Sequence, residues 1–230
     1  MPERTTDGGS ARLEFFSDAI LAIAITLLVI EIRVPTVAGQ DLGAALRHLW
    51  PSFLAYALSF CTIGLIWVAH HSMFRHVGNV DRPLLLINLG LMACVAFLPF
   101  STAVLAQYSR GNASGASTAA EMYSLNMFAI GVAFLGLWLH LATHRTLFIG
   151  RLERGALNSS IRRSMIVPTA YLVTFGVAFV SPVACYFIWV ATTVYIAFGP
   201  ATRRIPVWSQ VPLFEALEAD LSTPEEPTTP

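Results

Sequence analysis

Asp18, Trp67, His70, His71 and Asn88 are the residues whose types could do chemistry in a chain that is otherwise mostly apolar. A carboxylate, an indole N–H, imidazoles and a carboxamide can satisfy one another as a hydrogen-bonded cluster. Unpaired in hydrocarbon, each costs on the order of a few kcal/mol. Arg12, Phe16 and Ser17 flank Asp18 and belong to the same expected cluster; Asp81 lies at similar depth. His70 and His71 are adjacent, so on a helix they point about 100° apart and cannot share a metal as an i,i+4 pair can. Structural hydrogen bonding is the stronger reading of both, and pH sensing stays open because histidine titrates near neutrality. "HLATH" gives His140 and His144 the i,i+4 spacing that suits zinc, but no Cys or carboxylate is evident to complete a site. They read as interfacial polar residues, and no metal is expected. Cys61, Cys94 and Cys185 lie in apolar segments without a CxxC pair and read as small packing residues. There is no P-loop, GxSxG or HExxH and no evident nucleophile–base pair, so no enzyme and no cofactor are expected. A carbonyl-lined TVGYG filter is also absent.

The elements that must position these residues are membrane spans. Of 230 residues, 55% are hydrophobic and 12% charged, against about a quarter charged in a typical soluble chain. Mean hydropathy is +0.63. The expected class is an all-α integral membrane protein with the lipid bilayer as surroundings. The formal net charge is zero, so no nucleic-acid partner is expected. The polar start "MPERTTDGGSARLE" and the long apolar run after it do not read as a cleavable signal.

Six apolar segments near the ~20 residues needed to cross a bilayer cover residues 15–34, 50–73, 84–107, 122–144, 164–181 and 183–200. The last two meet at "SPVA" and would form a tight helical hairpin. Pro51 falls in a first turn, where a missing N–H costs little. Pro99 lies inside the third segment, so a kink or break is expected near Phe97–Phe100. Of fourteen arginines, eleven fall with the N-terminus, the second and fourth connections and the C-terminal side. Three, Arg33, Arg47 and Arg110, fall on the other side. The positive-inside rule then puts both termini in the cytoplasm, and the even span count agrees. "SRGNASGASTAAE", residues 109–121, reads as a flexible external loop. Residues 1–205 form one six-helix domain in this reading, and 206–230 a cytoplasmic tail. In that tail "VPLFEALEADL" could form a short amphipathic helix and "STPEEPTTP" reads as disordered.

The first segment, "RLEFFSDAILAIAITLLVIEI", divides on a helical wheel. With Ile23 at zero, Leu27 lies at about +40°, Ile30 at about −20°, Thr26 at about −60° and Ile20 at about +60°. These share one face, while Asp18 falls about 140° away, with whatever packs behind the helix. Taken alone, the aliphatic stripe reads as lipid contact or helix packing. The second segment is antiparallel to the first, so "IWVAHHSMF" ends level with Asp18.

"RLEFFSD" followed by "AIAITLLVIEI" resembles the transmembrane protein 175 family of potassium channels, through an Arg-x-x-x-Phe-Ser-Asp motif on Arg12, Phe16, Ser17 and Asp18. "WVAHHSMF" and "NLGLMACVAFLPFSTAV" are similar to the family too; the likeness is specific over roughly residues 12–105. It implies a homotetramer of six-helix subunits, one motif per chain, with four first helices lining a central pore in a bacterial plasma membrane. It implies that Ile23 forms the narrowest point, that Leu27 and Ile30 form further layers and that the Thr26 hydroxyl influences selectivity. The permeant species would be potassium, only modestly preferred over sodium. The alternative is a proton-coupled secondary transporter using Asp18 and the second-segment histidines. It is less favoured because no repeat is seen and Asp18 lies near a helix end.

Overall fold

The computed structural model describes residues 8–35, 41–109, 113–149 and 154–198. The described elements are helices: α1 (Gly8–Ile30), α2 (Leu42–His48), α3 (Trp50–Phe74), α4 (Arg82–Tyr108), α5 (Ala113–Thr143), α6 (Arg154–Ser164), α7 (Ile166–Ala178) and α8 (Pro182–Phe198), with a single 3-10 turn at Arg145–Leu147. Residues up to Thr193 form one compact unit. Beyond it the described residues, 194–198, are the end of α8. The expected tail helix and disordered end lie outside the described residues.

Four helices, α1, α3, α4 and α5, are long and apolar enough to cross a membrane. α7 has 13 residues and α8 has 17. At ~1.5 Å per residue these reach about 20 and 26 Å, short of a ~30 Å hydrocarbon core. The fifth expected segment, 164–181, is therefore shorter than its apolar run suggested. Ahead of it, across Met165 alone, runs the polar helix α6.

Two further expectations need correction. The stretch read as an external loop over 109–121 is helical from Ala113. Its alanines favour helix, Ala119 and Ala120 are buried, and the Ser117 hydroxyl donates to the Ala178 carbonyl at the end of α7. Of the kink or break expected near Pro99, the break does not occur: α4 runs unbroken through it, with Pro99 buried.

α1 packs on α3 and α4, α4 on α5, and α5 on α7, with α6 against both α5 and α7. Gly131 lets α5 and α7 meet: a Cβ there would sit 2.8 Å from the ring Cδ of Pro168. Trp189 and Cys185 of α8 bond the side chain and carbonyl of Thr174 in α7. Large apolar side chains such as Phe53, Leu86, Phe100, Leu125 and Val132 face outward, as suits helices surrounded by lipid. With no water to expel from between helices, close packing and interhelical hydrogen bonds must hold the bundle. At the end where α1 begins, the connections after α3 and after α5 pair in an antiparallel bridge between Val77 and Phe148. Gly78 N–H donates to Leu147 O at 2.8 Å and Ile149 N–H to His76 O at 2.9 Å.

Candidate functional site

α1 has two unlike faces. Leu13, Ser17, Leu21, Ala24 and Leu28 recur every three to four residues and are buried against α3 and α4; the last three retain only 1–2% exposure. The stripe at the other side is uncovered by the chain's own helices: Ile23 is 58% exposed, Leu27 42% and Ile30 70%. Thr26 is exposed among them, and its hydroxyl donates back to the Ile23 carbonyl at 2.8 Å.

The buried face is anchored at its start by a directed hydrogen-bond chain. Ser17 Oγ donates to the Leu13 carbonyl at 2.9 Å, and Asn88 Nδ2 donates to Ser17 Oγ at 2.8 Å. Asn88 Oδ1 is then the acceptor in the 2.9 Å contact with His70 Nε2, which assigns the imidazole hydrogen to Nε2. The other nitrogen, Nδ1, is buried without a partner among the described residues. His70 also stacks on Phe74, ring centroids 4.3 Å apart. Ser17, His70 and Asn88 are all fully buried.

A second, more exposed system runs beside it. Trp67 Nε1 donates to Asp18 Oδ1 at 3.0 Å, and His71 Nδ1 to Glu14 Oε1 at 2.8 Å. Glu14 and Asp18 are one turn apart on α1, as Trp67 and His71 are on α3. The two contacts form rungs between antiparallel helices, the register expected from the segment order.

The structure thus brings together Ser17, Asp18, Trp67, His70, His71 and Asn88. It does not bring in Arg12, which is exposed and makes no hydrogen bond or ion pair among the described residues. On the wheel Arg12 lies at about −20°, with the aliphatic stripe and away from α3 and α4. Phe16 is also on that side, 48% exposed. Sequence reasoning missed Glu14 because it ended a polar lead-in. The signal was the matched spacing of two acids on α1 and Trp67 and His71 on α3.

At the same end, His140 Nε2 meets both oxygens of Asp81, at 2.8 and 3.0 Å, and Asp81 caps α4 by accepting the Leu84 N–H at 2.9 Å. His140 and His144 stack at 4.3 Å. Among the described residues no group of three or more His, Cys, Asp and Glu could hold a metal. Burial pushes the Asp81 carboxyl upward, but the Leu84 N–H and His140 outweigh it, holding the group below the ordinary aspartate value.

A family model described as the endosomal/lysosomal potassium channel TMEM175 matches residues 12–99, the stretch that carries both the stripe and the anchor. A potassium channel of Streptomyces collinus is 43% identical over 173 residues, 75% of this chain and 84% of its own. A potassium channel of Chamaesiphon minutus is 39% identical over 183 residues, 78% of this chain and 88% of its own. The crystal structure of a lysosomal potassium-selective channel TMEM175 homolog from Chamaesiphon minutus is similar, with a TM-score of 0.73 at 36% identity, over 82% of this chain and 96% of that one. With identity at this level spread over most of each relative's length, the chain is a multi-pass membrane protein that belongs to the TMEM175 family.

Proposed function

We propose that the protein is a potassium-permeable channel, formed by four copies whose first helices surround a central path. Ile23, Thr26, Leu27 and Ile30 face that path. The observation that carries the reading is the uncovered stripe on α1, opposite a face buried almost completely. Four such stripes set about an axis would cover one another. The names of its relatives supply the permeant ion: the Streptomyces collinus and Chamaesiphon minutus proteins, matched over more than four fifths of their length, are named potassium channels.

Ile23, Leu27 and Ile30 rise along the helix by about 6 and then about 4.5 Å, giving stacked aliphatic rings. A narrow ring of this kind stops ions by expelling water, and a small outward shift of the helices rewets it. The Thr26 hydroxyl adds a polar layer between the first two rings. No close-fitting carbonyl cage lines such a path, so discrimination of potassium from sodium is modest. The arginine distribution supports cytoplasmic termini, and the bacterial sources of the relatives support a bacterial plasma membrane. α7 and α8 then serve as two short final spans, for six in all, within a domain reaching to about residue 205, followed by a cytoplasmic tail. The chain acts as a channel and not as an enzyme.

The test is flux. In liposomes, the protein should pass potassium without a proton gradient and without saturating as a carrier does. Ile23→Asn should raise the flux and bring potassium and sodium permeation closer together. Flux that saturates, requires a proton gradient and ignores this substitution would instead support the proton-coupled transporter.

A further inference from the structure

Two hydrogen-bond systems hold the start of α1, and they differ in chemistry. The chain Ser17–Asn88–His70 is fully buried and ends on a backbone carbonyl. The pair Glu14–His71 is ionisable and open to water, its side chains 23% and 42% exposed. It is also coupled to its neighbour: the Trp67 ring that binds Asp18 stacks on the His71 ring, centroids 5.8 Å apart and planes 21° from parallel. Glu14 lies about 180° from Ile23 on α1, so a pull on it acts on the helix from directly behind the stripe.

We propose that Glu14, through His71, is a positioning residue for α1, and that this tie makes conduction depend on pH at the side of the membrane where α1 begins. The proposal rests on the channel reading above. Histidine is the side chain that gains and loses a proton near neutral pH. With a proton on both ring nitrogens, His71 makes a charge-assisted bond to the Glu14 carboxylate, roughly twice as strong as a neutral one. Losing the proton leaves a weaker bond and a looser helix start. The groups around the pair do not replace this tie. On α1, Asp18 is bonded to Trp67. On α3, His70 is bonded to Asn88, the neutral amide that α4 presents. Arg75 follows His71 by one turn at the end of α3, adding a fixed positive charge. Arg12 lies on the opposite side of α1.

The experiment measures potassium flux in liposomes at matched internal and external pH, from about pH 8 to about pH 5.5, a range that brackets histidine titration. Wild-type flux at about pH 5.5 should differ from that at about pH 8 by roughly threefold or more, because the tie is strengthened when His71 carries both protons. Glu14→Gln and His71→Gln should each remove most of that change, and the double variant should do no more than either alone. Asp81→Asn, which breaks the other histidine–carboxylate pair, should leave it in place. Backbone hydrogen exchange over residues 13–20, corrected for intrinsic rates, gives a readout independent of conduction. It should be slower at the lower pH in wild type and pH-independent in either Glu14 or His71 variant. A pH-insensitive wild type, full pH dependence in Glu14→Gln, or equal loss in Asp81→Asn would overturn the proposal. Wild type that passes no potassium at any pH would overturn the channel reading, while the exchange result would still judge the tie.

Discussion

Asn88 is the residue on which the anchor turns, since its amide donates to α1 and its carbonyl oxygen accepts from α3. Replacing it leaves the buried His70 Nε2–H without a partner and opens a cavity the size of a carboxamide, while Ser17 keeps its bond to the Leu13 carbonyl; removing the Ser17 hydroxyl strands one Asn88 N–H but takes away a single heavy atom and leaves the Asn88–His70 bond. Asn88→Ala should therefore lower the thermal midpoint of the detergent-solubilised protein more than Ser17→Ala does: a stranded donor costs about 1–3 kcal/mol in either variant, and the larger cavity adds to it only in the first. Asp81 makes a separate prediction in acid. Its carboxyl is held below the ordinary value of about 3.9, so its contribution is full above that value and is lost as pH falls through the lower, folded-state one. A melt series from neutral pH down through this range should show an acid limb that Asp81→Asn makes shallower. Much of the anchor was legible in the sequence, because antiparallel spans of known length bring Asp18 level with Trp67 and His70. The partner of His71 was not, because choosing between Glu14 and Asp18 depends on how far α1 is rotated, and no periodicity of α1 alone sets that angle. Arg12 was misassigned for the same reason: proximity along the chain did not decide which face it takes.

At the scale of elements, the tightest constraint is the crossing of α5 and α7 at Gly131 and Pro168. A methyl group at Gly131 would lie 2.8 Å from both the ring Cδ and the backbone nitrogen of Pro168. Gly131→Ala should destabilise by about 1–3 kcal/mol, the usual cost of overpacking. Pro168→Ala removes only the ring contact, so a double-mutant cycle read by thermal melts should recover part of the loss. Full recovery would mean that the backbone nitrogen is not limiting. The long helices were legible as apolar runs. The start of α5 was not, since "ASGASTAA" has the small polar composition of a loop. It is helical where Ala119 and Ala120 bury and Ser117 reaches the end of α7. That contact joins residues 61 apart in the chain, which local composition cannot report.

For the whole molecule, further copies must cover what one chain leaves open. Four subunits should remain together in mild detergent, giving four times the 25.1 kDa chain mass by native mass spectrometry; a monomer that still conducts would rule out a path shared between copies. The most direct test of the central claim is a cysteine scan of α1 over residues 20–30. It would be made in a background with Cys61, Cys94 and Cys185 replaced, and read as block of potassium flux by a small thiol-reactive cation such as silver. Block should follow helical periodicity, strong at positions 23, 26, 27 and 30 and absent at 21, 24 and 28. Block centred on 21, 24 and 28, or spread without period, would contradict that claim.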